Sequence, residues 1–136
     1  MLADLYAIKL DRSRTAVGGS SMGGLASLYG MVKHPEVYGA ALSYSTHWPI
    51  GGDKLVDYFV ENLPKAGAHK VWTDCGTIEL DAAYPPFHAR FVEKFEKRGY
   101  KFHENFIHAV YPNTGHNELW WAARVEHPIN WWLNSL

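Results

Sequence analysis

The chain has 136 residues, a net charge of −1 at neutral pH, 47% hydrophobic and 15% aromatic residues, and six tryptophans. A chain of this size buries roughly 68% of its unfolded surface, so one domain over residues 1–136 is expected, and the near-zero charge gives no reason to expect nucleic acid or an anionic membrane as a partner. The single cysteine, Cys75, excludes an internal disulfide and fits a reducing, cytoplasmic setting.

No apolar run reaches the ~18 residues of a membrane span, and Asp4 and Asp11 interrupt the region where a signal peptide would need an apolar core. In chain order, Thr15–Gly19 reads as a short buried strand. Leu25, Leu28, Tyr29 and Val32 then fall on one face of a helix that Pro35 ends. Val37–Ser43 reads as a second strand. Lys54–Leu63 is an amphipathic helix with Leu55, Tyr58, Phe59 and Asn62 on one side, and His69–Cys75 is a third strand. Pro85–Arg98 places Phe87, Phe91, Val92 and Phe95 on a stripe, carries a Glu93–Lys97 pair, and stops at a C-cap glycine, Gly99. Asn105–Tyr111 is a fourth strand, and Glu118–Leu136 is helical with a break at Pro128. Strand and helix alternate four times, which predicts an α/β fold with a mostly parallel sheet covered by helices.

Between the first strand and the first helix stands "GGSSMGG". Glycine is costly to order, so its density here points to a backbone shape that other residues cannot adopt. The frame Gly19-Ser20-Ser21-Met22-Gly23 fits G-x-S-x-G, a strained strand-to-helix turn that raises a serine hydroxyl above a sheet. Ser21 is the candidate nucleophile, because centring the motif on Ser20 would require glycine where Met22 sits. The Met22 amide, at the helix N-terminus, is the candidate donor to a developing oxyanion.

A serine needs a base, and the Gly-containing turn "YPNTGHNELWW" supplies His116 between the fourth strand and the last helix. An orienting carboxylate is expected after the third strand. "TDCGTIELDAAY" offers Asp74, which lies too early within the strand, and then Glu79 and Asp81. Glu79, three residues past Gly76, is preferred; Asp81 remains open, either as the acid or as a cap of the next helix. His88 and His103 read as solvated, and His47 as a pocket-lining candidate. No H-E-x-x-H, C-x-x-C or G-K-[ST] pattern occurs, so neither a metal nor a nucleotide cofactor is expected. Glu118 reads as a first-turn helix acid.

Three segments, "GGSSMGGLASLYGMVKHPEVYGAALSYSTHW", "DCGTIELDAAYPPF" and "GHNELWWAARVEHPINWWL", resemble in content and order the "putative esterase" group of α/β-hydrolases. That group includes feruloyl esterases, enterobactin-type esterases, S-formylglutathione hydrolases and mycolyltransferases. The resemblance implies serine hydrolysis of a small-molecule carboxylic ester without a cofactor. Ser21 would be the nucleophile, His116 the base, and Glu79 or Asp81 the acid, since relatives carry either G-T-x-[DE] or T-x-x-L-D. Members of the group are about twice this length and have further strands ahead of the serine turn, so a truncated α/β-hydrolase is expected, without the loop that gives the second oxyanion N–H.

Trp48 after the second strand and Trp120 or Trp121 after His116 are expected to frame an apolar acyl or aryl pocket, with one of that pair packing on the core instead. The alternative to an esterase is a non-catalytic truncated hydrolase serving as a binding or assembly module. The first strand should lie at a sheet edge with no charge or proline to blunt it. A homo-oligomer, most simply a two-fold dimer joined through Met1–Lys9 and this edge, is therefore expected.

Overall fold

The computed structural model describes residues 11–136. Its sheet has four strands, β1 (Ala16–Ser20), β2 (Ala40–Tyr44), β3 (Lys70–Cys75) and β4 (Phe106–Val110). All pair in parallel, in the order β1-β2-β3-β4. The helices are α1 (Met22–Lys33), α2 (Gly52–Asn62), α3 (Pro85–Lys97), α4 (Glu118–Ala122) and α5 (Glu126–Leu133). Val37, expected to open the second strand, instead lies exposed in the turn after α1.

Parallel neighbours need crossover connections, and right-handed crossovers that always step in one direction put their helices on one face. Leu28 and Met31 of α1, Val56 and Phe59 of α2, and Phe91 and Phe95 of α3 accordingly pack on Ala41, Val71 and Phe106. The alternate strand residues Leu42, Tyr44, Trp72 and Ile107 point to the other face. There they meet Trp121 of α4 and Trp131 and Trp132 of α5. Among the described residues no helix is long and apolar enough to cross a membrane.

Three sequence expectations shift along or around their helices. The inward stripe of α1 runs through Leu25, Leu28 and Met31, leaving Tyr29 exposed. In α2 the buried residues are Val56, Phe59 and Val60, not Leu55, Tyr58 and Asn62, because the helix meets the sheet one residue further round. The C-terminal helix breaks at Ala123–Val125 rather than at Pro128, where Arg124 turns inward and is buried. Pro128 is the third residue of α5, a position whose amide has no intrahelical partner to lose.

β1 is an edge strand with no outer neighbour among the described residues. Met1–Lys9, assigned to a dimer contact, lies outside the described residues.

His88, expected among solvated charges, is buried on α3 near His108, with neither ring nitrogen hydrogen-bonded among the described residues. Burial, assisted by His108, lowers its pKa to about 3. The unfolded chain therefore takes up this proton near pH 6.5 while the folded chain refuses it until about pH 3. Stability tied to His88 is full above pH 6.5 and falls as the pH drops, by up to about 1.4 kcal/mol per unit. Urea unfolding should show His88→Phe losing less stability than the wild type between pH 7 and pH 5.

Candidate active site

The connections that leave the carboxyl ends of the four strands converge. β1 ends one residue before Ser21, which joins it to α1 with φ 57° and ψ −119°, in the left-handed half of backbone space. A side chain at Gly19 would place its Cβ 2.7 Å from the Gly23 backbone, so glycine is what lets strand and helix close round the serine. Met22 opens α1, and its amide is one of those a helix N-terminus leaves without an internal acceptor.

Ser21 Oγ lies 2.8 Å from His116 Nε2, across 95 residues of sequence. His116 Nδ1 lies 2.6 Å from Asp81 Oδ1. Asp81 is fully buried, and its second oxygen accepts from the Gly76 amide and the Ser45 hydroxyl, both at 2.6 Å. A buried carboxylate is tolerated when its lone pairs are met in this way, and three donors meet these.

Glu79, the preferred acid, does not reach the imidazole. Its carboxylate accepts from the His116 backbone amide at 3.0 Å and from Asn117 Nδ2 at 3.3 Å. The reason is a chain reversal: Glu79 has φ 55° and opens a single 3-10 turn, Glu79–Ala83, that brings Asp81 inward instead. Glu79 thus grips the backbone of the His116 turn, against Gly115, while Asp81 grips the ring.

A shell that sequence reading missed supports Asp81. Ser45, itself at φ 39°, accepts from Arg124 Nη2 at 2.7 Å and from Trp121 Nε1 at 3.0 Å while it donates to Asp81. Arg124 also binds Asp74 at 3.0 Å, and Asp74 accepts from the Ser45 amide and Trp72 Nε1. Burial pushes the Asp74 carboxyl above its ordinary range, against the pull of Arg124. The one signal in the sequence was Asp74 itself, a carboxylate inside an apolar strand, which needs a buried cation. Burial also raises the Cys75 thiol to about 12, aided by Asp74 and Asp81, so it stays protonated and inert at neutral pH.

The aromatic expectations divide. Trp48 is fully buried beneath the site, stacked on Phe91 with ring centroids 5.0 Å apart, and belongs to the core, because the chain turns inward after β2. Trp121, not its neighbour Trp120, lines the apolar cavity beside β1, and its ring centroid lies 5.0 Å from that of His116. The Asn117 side chain, capping α4 at the Leu119 and Trp120 amides, sets which of the two faces inward. His47 stands beside the site, half-buried, its ring centroid 6.2 Å from that of His116.

A hydroxyl bonded to an imidazole that is bonded in turn to a carboxylate can pass its proton to the imidazole as it attacks an electrophile. In solution the Asp81–His116 contact should hold the Nδ1 proton in a strong, strongly downfield proton resonance. Asp81→Asn should abolish that resonance and Glu79→Gln should leave it in place; the reverse pattern would make Glu79 the partner.

The sequence profile of the "putative esterase" family matches residues 2–128. No curated protein matches the chain significantly. Among solved structures, it is similar to a ferulic acid esterase with a TM-score of 0.76 and 16% identity, over 99% of this chain and 57% of that one. It is similar to an enterochelin esterase from Shigella flexneri with a TM-score of 0.70 and 23% identity, over 98% and 34%. A third likeness is to an S-formylglutathione hydrolase from Staphylococcus aureus, with a TM-score of 0.71 and 16% identity, over 98% and 56%. The fold is therefore that of the α/β-hydrolases, and the chain spans between about a third and three fifths of the length of these relatives.

Proposed function

Because the chain belongs to the "putative esterase" family, we propose that it hydrolyses carboxylic esters through an acyl-serine formed on Ser21. The observation that carries this reading is the unbroken hydrogen-bond chain Ser21–His116–Asp81, assembled from three separate loops. The turn at Ser21 then serves as a nucleophile elbow. Ser21 Oγ attacks the ester carbon while its proton passes to His116 Nε2, and Asp81 holds the tautomer and stabilises the imidazolium. The carbonyl oxygen becomes an oxyanion facing the Met22 amide and the positive end of α1. Collapse expels the alcohol, which takes the proton from His116. Water then repeats the cycle on the acyl-serine and releases the acid.

The substrate class is read from the cavity that reaches the residue before Ser21; Ser21 and His116 do not themselves line it. An open apolar cavity of about 510 Å³ reaches Ser20 and is walled by Leu42, Tyr44, Trp121, Val125 and Trp132. No formal charge lines it, so the ester it suits carries an apolar acyl or aryl group.

With p-nitrophenyl acetate, Ser21→Ala and His116→Ala should each lower kcat by at least ~10³-fold, and Asp81→Asn by ~10²–10⁴-fold, with Glu79→Gln far milder. Hydrolysis that persists in both Ser21→Ala and His116→Ala would remove the assignment. Val125→Trp, which fills the cavity without touching the three residues, should raise KM about tenfold more for p-nitrophenyl butyrate than for the acetate. An equal effect on the two esters would place the acyl group elsewhere.

A further inference from the structure

Arg124 is a buried cation, 2% exposed, to which the acyl-serine reading gives no part. Both protons of its Nη2 are used, one on Asp74 Oδ1 at 3.0 Å and one on Ser45 Oγ at 2.7 Å. Trp121 Nε1 also donates to Ser45 Oγ, at 3.0 Å. Guanidinium and indole are donors only, so the single Ser45 proton goes to Asp81 Oδ2, at 2.6 Å. The hydroxyl is thus a strap. Two donors hold its oxygen, and it holds the carboxylate whose other oxygen meets the His116 ring.

The charges can be counted in the same way. Asp74 is fully buried, and its partners Arg124 Nη2, the Ser45 amide and Trp72 Nε1 are all donors. A proton on Asp74 would find no acceptor among the described residues, so Asp74 stands as the counter-charge of Arg124. That pair sums to zero. Asp81 keeps one negative charge that nothing in this network cancels until His116 takes the Ser21 proton. Without Asp74, the Arg124 charge would face Asp81 unopposed and disfavour the imidazolium. The other titratable groups nearby stay the same in every variant below. The rings of His47 and Tyr84 lie beside that of His116, and Glu79 accepts from its backbone amide. The protonated Cys75 thiol lies near both aspartates, and the guanidinium sits 4.9 Å over the Tyr111 ring, whose hydroxyl meets His127.

We propose that Arg124 and Asp74 are positioning residues for the hydrolysis: Arg124 fixes Asp81 through the Ser45 hydroxyl, and Asp74 cancels the Arg124 charge so that the charge of Asp81 is kept for the His116 imidazolium. No bond to substrate forms at either residue. The proton that moves during attack is that of Ser21, to His116 Nε2.

This inference rests on the acyl-serine reading, and the test separates the two. Steady-state kinetics on p-nitrophenyl acetate are measured across the pH range in which histidine titrates. The proteins are the wild type, Ser21→Ala, Ser45→Ala, Asp74→Asn, the paired variant Asp74→Asn/Arg124→Met, and the triple variant that adds Ser45→Ala, with a thermal midpoint for each. Ser45→Ala should lower kcat ~10–100-fold with KM changed less than about twofold. The paired variant should lower kcat ~10-fold, and the triple variant should be no slower than Ser45→Ala alone, because Arg124 acts through that hydroxyl. Asp74→Asn should be slower than the paired variant and move the pH midpoint of kcat/KM down by roughly half a unit or more, while the paired variant keeps the wild-type midpoint. With turnover still lost in Ser21→Ala, an unmoved midpoint in Asp74→Asn, or costs that simply add in the triple variant, would overturn this inference alone. Absence of Ser21-dependent turnover in the wild type would overturn both. If Asp74→Asn fails to fold, the triple variant decides by its additivity, and a wild-type kcat in Ser45→Ala refutes the strap in any case.

Discussion

A single buried carboxylate organises the carboxyl edge of this sheet. Asp81 has no solvent to stabilise its charge, so every lone pair must find a donor, and the donors come from three different connections. Gly76 offers an amide after β3, Ser45 a hydroxyl after β2, and His116 a ring N–H after β4. Meeting that demand closes the loops on one another. Gly76 must lack a side chain because a Cβ there would overlap the Thr114 carbonyl in the turn that leads to His116. Ser45 must hold a left-handed backbone, and Arg124 must leave the helical path to reach it.

The rest of the fold can be read as what holds these loops at fixed spacing. Four parallel strands end side by side, so the segments that follow them emerge at one edge, where sites of open α/β sheets form. The aromatic layer beneath supplies rigidity: Trp48, Phe91, Phe95 and Tyr100 stack in sequence under the site. A shift of these rings would move the loop after β2, and with it His47 and Ser45. The buried Asp74–Arg124 pair adds a polar anchor at the opposite side, joining β3 to the break between α4 and α5.

Much of this was legible in the sequence because it depends on local pattern. The glycine frame round Ser21 and the late Gly-His turn at His116 are both short-range signals, and both residues stand at the converged edge. The strand and helix alternation was legible for the same reason, with boundaries displaced by a few residues. Which carboxylate meets the His116 ring was not legible, because Glu79 and Asp81 differ only in how the chain turns between them. A left-handed residue at position 79 reverses that turn, and glutamate gives no hint of it. Nor did the two tryptophans at 120 and 121 declare which faces inward; the Asn117 cap decides it. His88 misled for a related reason: a polar residue near charges reads as solvated, while the packing of α3 on β4 buries it.

The central claim is that Ser21 is activated through His116 by Asp81, and a fluorophosphonate probe reports this without any assumption about the natural substrate. Intact-protein mass spectrometry, followed by peptide mapping, should find one adduct per chain, on Ser21. It should be absent in Ser21→Ala and form ~10²-fold or more slowly in Asp81→Asn than in the wild type. Labelling at another residue, or at an unchanged rate in Asp81→Asn, would contradict the account.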